Sequence, residues 1–195
     1  MEKIVLESIS DYKVKEAIKR VAVNVSSRYP DTHRILVTSI AGKEGKSFVS
    51  LQLAKVMAEK GKKVLYINGD LRKNISEQMG LAEYLGDEIA LDKTIYETEH
   101  KRLQVIPSGR KNVTTINENK VKELLKKLSE TYDYIVIDSP SVGEVADAIS
   151  IGTYCDGILL VVEPEIVEQK TMVRIKDELE NNGCKILGVV LNKTS

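Results

Sequence analysis

Short, unbroken apolar runs alternate with helical patterns along most of this chain, and that alternation restricts the fold more than any other feature. Ile35-Leu36-Val37, Val64-Leu65-Tyr66-Ile67, Tyr134-Ile135-Val136-Ile137 and Ile158 to Val162 lack the alternate polar positions of a strand with one wet face. They read as strands covered on both sides. Leu103-Gln104-Val105-Ile106, ending at Pro107, and Ile186 to Leu191 read as further strands, and the first strand spans about 34–39. Between them lie amphipathic helices over about 46–60 (Val49, Leu53, Val56 and Met57 on one face, Gly61 as C-cap) and about 118–131 (Val121, Leu124, Leu125, Leu128). A third, marked by Met172, Ile175 and Leu179, closes at Asn182-Gly183. Strands and helices in this order form an α/β fold with a mainly parallel, twisted sheet and helices on both faces.

Val14, Ile18, Val21 and Val25 mark a helix over 12–28, broken by Tyr29-Pro30-Asp31. Those four residues either cover the protein's own sheet or dock on a partner. Residues 69–100 are poorly patterned, apart from a short helix at Leu81 to Leu85. At 195 residues, without repeat or linker, the chain is expected to form one domain over 1–195, with residues 1–30 a helical segment packed on it.

In such sheets ligands bind beyond the carboxyl ends of the strands, and three of those ends carry chemistry-bearing residues. Gly42-Lys43-Glu44-Gly45-Lys46-Ser47 lies between the first apolar run and a helix that begins near Phe48. At a strand-to-helix turn, backbone N–H groups converge and the helix dipole adds positive potential, so the segment reads as a phosphate cradle. Gly42, Lys43, Glu44, Gly45, Lys46, Ser47 and Phe48 are the candidate nucleotide-binding residues. Lys46 brings a mobile charge to the terminal phosphates, and Ser47 brings a hydroxyl for Mg²⁺. The full G-x-x-x-x-G-K-[ST] pattern asks for glycine at position 40, where this chain has Ile40. A surface turn is the alternative, and the strand–turn–helix order favours the cradle.

Asp138 ends an apolar strand, where a carboxylate can hold Mg²⁺ opposite Ser47 or simply cap the strand end. Asp70, in Asn68-Gly69-Asp70, reaches the same predicted crevice as Lys46. It is a candidate to accept a proton from an attacking hydroxyl or water, and joins Ser47 and Asp138 as a candidate metal ligand. Arg72 is suited to bind phosphate bidentately or to pair with a carboxylate. Asn192, at the end of the last strand, is placed either to contact a base or to cap.

Lys plus Arg equals Asp plus Glu at 29 each, which gives no electrostatic case for nucleic acid as a partner. Arg72-Lys73 and Arg110-Lys111 are local basic pairs, the second read as solvated loop charge. Cys155 and Cys184 fit no metal-ligand spacing and suggest a reducing compartment. No run approaches membrane-span length and the N-terminus is no signal peptide, so the expectation is a cytoplasmic protein recruited to the membrane, if at all, by a partner. His33 and His100 read as surface residues. Most tyrosines read as partly buried, with Tyr84 and Tyr96 the candidates for modification.

Together with Tyr132-Asp133-Tyr134-Ile135-Val136-Ile137-Asp138-Ser139-Pro140, these motifs make the chain resemble a bacterial tyrosine kinase. These are P-loop NTPases of the MinD/ParA-like superfamily that accompany capsule and exopolysaccharide synthesis. The resemblance runs from about Glu16 to Lys193. It includes Gly69-Asp70-Leu71-Arg72 (Walker A′), Asp138-Ser139-Pro140 with Asp147-Ala148 (Walker B and its sequel), and the strands Asp156 to Val162 and Gly188 to Lys193. It implies a kinase that uses ATP and Mg²⁺, leaves ADP, and phosphorylates tyrosine on itself and on other proteins. It further implies activation by a membrane-anchored regulator of polysaccharide chain length, and assembly into rings.

The chain departs from the family at several points. Asn68 replaces the first Asp of Walker A′, Lys43 replaces a loop glycine, and Ser141 replaces a second proline. The family's E-x-x-R-x-x-R reads Glu16, Lys19, Ala22 here, and no tyrosine follows Tyr154. The tail that the family phosphorylates is therefore truncated, or the chain does not autophosphorylate in the usual way. The competing reading is a nucleotide switch without kinase activity, an ATPase of the MinD/ParA kind or a degenerate kinase regulating polysaccharide assembly. Against ordinary MinD/ParA membership, their phosphate-loop lysine falls at Ala41 here.

Overall fold

A computed structural model of the chain describes residues 3–6, 11–72, 76–164 and 167–192. Along them run β1 (Lys3–Ile4), α1 (Tyr12–Arg28), β2 (Arg34–Ser39), α2 (Lys46–Glu59), β3 (Val64–Asn68), α3 (Leu81–Leu85), β4 (Tyr96–Thr98), β5 (Leu103–Ile106), α4 (Glu118–Ser129), β6 (Tyr134–Asp138), α5 (Asp147–Gly152), β7 (Gly157–Val162), α6 (Gln169–Asn181) and β8 (Ile186–Leu191). The strands form one sheet in the order β1-β4-β5-β3-β6-β2-β7-β8. From β5 to β8 every pairing is parallel, and β4 runs antiparallel to β5.

The apolar runs are strands because both of their faces are covered. In β2, Ile35 and Val37 pack with Ile18, Val25, Val49 and Leu53 of α1 and α2, whereas Leu36 packs on the opposite side. There Ile135, Leu160, Leu125 and Leu179 form the second layer. Adjacent strand residues thus serve opposite cores, which requires side chains that are apolar at every position. Leu36 and Leu53 are wholly buried, and truncating either to alanine removes about 3 kcal/mol.

α1 starts where the Asp11 carboxylate accepts from Lys13 N at 2.7 Å. Its buried residues are Ile18, Ala22 and Val25, while Val14 and Val21 are only half-buried. The predicted stripe is therefore rotated slightly, because α1 lies against α2 as well as over the sheet. α2 differs more: Ser50, Gln52 and Lys55 are buried along with its apolar residues, since the helix is enclosed between the sheet and α1.

The poorly patterned region hides a strand. β4 has few residues and a mixed burial pattern, so it leaves no periodic trace. β1 is shorter still, and α5 is too short for a helical period to emerge. His100 is half-buried beside Glu99, contrary to the surface reading, and Tyr12 is 73% exposed, contrary to partial burial. Tyr84 and Tyr96 are both partly buried, with Tyr96 Oη donating to Met79 O at 3.0 Å. Lys73 and Lys193 lie outside the described residues. No described helix is long and apolar enough to cross a membrane.

Candidate functional site

The carboxyl ends of β2, β3, β6 and β7 gather the motif residues around one point. Between β2 and α2 the chain turns tightly. Gly45 takes φ +82° and a Cβ there would stand 2.2 Å from Asn192 Nδ2, so only glycine fits. Lys43 also adopts a left-handed φ of +69°, which explains why glycine is usual at that position, and its side chain is exposed. Glu44 is buried and turns inward. Its carboxylate accepts from Ala41 N at 2.7 Å and from Glu163 N at 3.0 Å, stapling the loop to the end of β7. Glu44 is a candidate nucleotide-binding residue by its place in the motif, and its side chain holds the loop itself together.

Asn192 serves the same purpose from β8. Its Nδ2 donates to Glu44 O at 2.9 Å, so its amide caps the phosphate loop. The strand-end hydroxyls extend this frame. Ser141 Oγ donates to Ala41 O at 2.8 Å and lies 3.0 Å from Ser39 Oγ, and Thr38 Oγ1 donates to Pro140 O at 2.8 Å. Ser141, which breaks the family's proline pattern, thus ties the phosphate loop to the loop after β6. Gly143 lets these loops meet, since a Cβ there would stand 2.3 Å from Ile40 O. Glu144 lies over Gly42, its Oε1 2.7 Å from where a Cβ would be. Phe48 is 41% exposed on the first turn of α2.

Lys46 Nζ lies 3.7 Å from Asp70 Oδ2, both side chains largely buried. The turn that carries Asp70 is built by its neighbours: Asn68 Oδ1 accepts from Asp70 N at 3.3 Å, and Gly69 N donates to Asp138 O at 2.7 Å. Asn68 therefore acts as a turn former beside Asp138, its register partner. Of the two roles open to Arg72, the structure shows carboxylate pairing. Its Nη2 donates to Asp147 Oδ2 at 2.6 Å and to Thr114 O at 3.0 Å.

Asp138 is wholly buried. Burial pushes its carboxyl up to about 6, partly offset by the Ser47 hydroxyl and the Lys46 charge. Asp138 Oδ1 is the one buried side-chain polar atom without a hydrogen bond among the described residues. A buried carboxylate oxygen with no protein donor, beside a hydroxyl and a lysine, suits a hard cation. Among the described residues no trio of His, Cys, Asp or Glu could enclose a metal. Mg²⁺ needs none, because it keeps waters and phosphate oxygens and takes only one or two protein ligands. The residues present fit a magnesium nucleotide.

Tyr66 is the residue of this site that motif reasoning passed over. Its hydroxyl approaches Asp138 Oδ2 at 3.4 Å from beneath, and burial with the adjacent carboxylate raises its pKa well above the usual phenol value. The only sequence signal was a hydroxyl-bearing aromatic inside an otherwise aliphatic strand.

Fold and site together define a P-loop nucleotide-binding protein of the MinD/ParA-like class, and residues 32–181 match the AAA domain family. Tyrosine-protein kinase CpsD of Streptococcus agalactiae serotype Ia is 32% identical over 94% of this chain and 84% of its own length. The kinase domain of Escherichia coli tyrosine kinase ETK superposes with TM-score 0.83 at 28% identity, over 92% of this chain and 75% of that one. The septum site-determining protein MinD of Pyrococcus horikoshii, in complex with Mg-ADP, superposes with TM-score 0.73 at 28% identity, over 84% and 71%. The chain belongs to the bacterial tyrosine-protein kinases, phosphotransferases on the same fold as MinD.

Proposed function

We propose that this chain is an ATP- and Mg²⁺-dependent protein-tyrosine kinase of capsule or exopolysaccharide synthesis, working with Lys46, Ser47, Asp70 and Asp138. The observation that carries the reading is the convergence of Lys46 and Asp70 beside a buried Asp138 with an unpaired Oδ1. The backbone N–H groups from Gly42 to Ser47 cradle the phosphates, and Lys46 stabilises charge on the group transferred. Ser47 and Asp138 are the residues that would hold Mg²⁺, which would supply neutralisation of phosphate charge. Asp70 orients the acceptor tyrosine and takes its proton, Lys46 keeping the carboxylate in place. Arg72 supports this turn through Asp147 and Thr114.

The same reading places residues 1–195 in a single working unit at the inner face of the membrane, recruited by a membrane-anchored polysaccharide chain-length regulator, with protein tyrosines as substrates. Assembly with other copies would use contacts other than the family's N-terminal motif. Glu16 and Lys19 pair with each other at 2.6 Å, and Ala22 is buried.

The test is incubation with labelled ATP-Mg²⁺, a poly-Glu-Tyr substrate and a cytoplasmic fragment of a candidate activator, scoring phosphotyrosine and free phosphate separately. Phosphotyrosine that disappears in Lys46→Met supports the kinase. Undiminished transfer in that variant refutes the assignment. Free phosphate alone identifies a nucleotide switch, and a large gain of transfer in Asn68→Asp would trace it to the missing carboxylate.

A further inference from the structure

Tyr66 is a buried phenol to which the mechanism above gives no part. It lies in the middle of β3, against Val136 of β6, two residues before Asp138. The surrounding layer is aliphatic, and phenylalanine or leucine would fill the same volume without a polar atom to satisfy. Its hydroxyl nevertheless reaches the functional carboxylate, donating to Asp138 Oδ2 at 3.4 Å. Ser50, buried on α2, lies beside the phenol, and its Oγ donates to Ser47 O at 3.0 Å. The phenol of β3 thus sits between the two elements that carry the magnesium residues, hydrogen-bonded to the end of β6 at Asp138 and next to the first turns of α2.

We propose that Tyr66 is a positioning residue of the magnesium site, holding Asp138 by Oδ2 so that Oδ1 stays turned toward the cation. This rests on the proposed magnesium role of Asp138. A carboxylate swings about its terminal torsion, and fixing one oxygen fixes the direction of the other. Among the described residues no hydrogen bond holds Oδ1, and the Tyr66 contact at Oδ2 joins the Ser47 hydroxyl and the Lys46 charge in setting the carboxylate's direction. Partners of this kind, one bond removed from the metal, orient its ligands, and their loss weakens metal binding about 10- to 100-fold. At 3.4 Å the bond is long, which places the expected effect at the lower end of that range.

Calorimetric binding of ADP, in EDTA and across a Mg²⁺ titration, tests this on the wild type, Asp138→Asn and Tyr66→Phe. The wild type should bind ADP more tightly with Mg²⁺, and Asp138→Asn should lose that gain. Tyr66→Phe should keep its Mg²⁺-free ADP affinity and need about 10-fold more Mg²⁺ for half-saturation. An unchanged Mg²⁺ requirement in Tyr66→Phe overturns the proposal while leaving Asp138 as a ligand. So does a loss of Mg²⁺-free ADP affinity, which marks a merely structural role. A wild type indifferent to Mg²⁺ removes the magnesium reading and this inference with it. If Tyr66→Phe fails to fold, Tyr66→Leu, which also removes the hydroxyl, carries the same test with the same outcomes.

Discussion

The two ends of the sheet carry aspartates in opposite states. At the amino end, Asp156 precedes β7 and accepts from His33 N at 2.9 Å, Arg34 N at 2.7 Å and the Arg34 guanidinium at 2.5 Å. Burial pushes its carboxyl up, but these donors outweigh burial and hold it below the usual range. At the carboxyl end, Asp138 is more deeply buried, keeps one oxygen unpaired and is pushed up to about 6. The amino end also has a groove of about 440 Å³ lined by His33, Arg34, Lys126, Tyr132, Asp133 and Asp156. Its Asp133 is occupied as well, accepting from Lys63 N at 2.7 Å. An aspartate whose bonds are complete joins strands, while one with a buried oxygen left unpaired is suited to bind a cation. Volume alone does not distinguish a site from a surface fold.

The largest effect should come from exchanging one carboxylate for an amide at each end. Asp138→Asn should cut phosphotransfer by about 100-fold or more, because the Mg²⁺ that offsets phosphate charge would lose its carboxylate ligand. Asp156→Asn should leave the folded enzyme's rate unchanged and cost about 2 kcal/mol of stability through lost charge-assisted bonds. Steady-state assays and denaturant melts of both variants separate the two; equal losses of rate would break the comparison.

The ends should also respond to pH with opposite signs. Asp138 binds its proton more tightly folded than unfolded, so its contribution to metal-free stability should be fully present below about 4 and be lost as pH rises through about 6. The shift corresponds to about 3 kcal/mol. Asp156 binds its proton less tightly when folded. Its contribution should persist above the ordinary carboxylate range and be lost only as pH falls through its lowered value. Melts of wild type and Asp138→Asn from pH 4 to 7.5 should converge at the acid end and diverge above 6. Parallel curves would refute the assignment.

Two glycine exchanges sharpen the contrast. Gly45 at the carboxyl end and Gly61 at the amino end share φ near +85°, but only at Gly45 would a Cβ strike a neighbour. Gly45→Ala should cost about 2 kcal/mol and most of the nucleotide affinity; Gly61→Ala should cost about 1 kcal/mol and no affinity. The smallest effect is a gain. Lys43→Gly should relieve the left-handed residue at the loop tip and raise stability by about 1 kcal/mol, read as a higher melting midpoint.

Much of this was legible in the residues. Strands buried on both faces must be apolar throughout, so β2, β3, β6 and β7 were evident with nearly correct ends. A phosphate loop needs glycine, lysine and serine at fixed separations, so Gly45, Lys46 and Ser47 were readable as candidates, as were Asp70, just past β3, and Asp138, at the end of β6. β4 and α5 were not legible, because elements of so few residues complete no period. The same holds for the inward turn of Glu44, the reach of Asn192 to the loop backbone, and the commitment of Arg72 to Asp147.

The layered α/β fold and the cluster of groups at one end of the sheet depend on residue type and local spacing, so the residues alone specify them. Which of those groups are satisfied depends on how the folded chain brings them together. Asp138 and Asp156 are the same residue, each next to a buried strand. One meets the Arg34 guanidinium and two backbone N–H groups, and the other meets the Ser47 hydroxyl, the Lys46 charge and a phenol, with Oδ1 left unpaired. Hydrogen-bond completion depends on residues brought together from distant parts of the chain, and no local pattern records it.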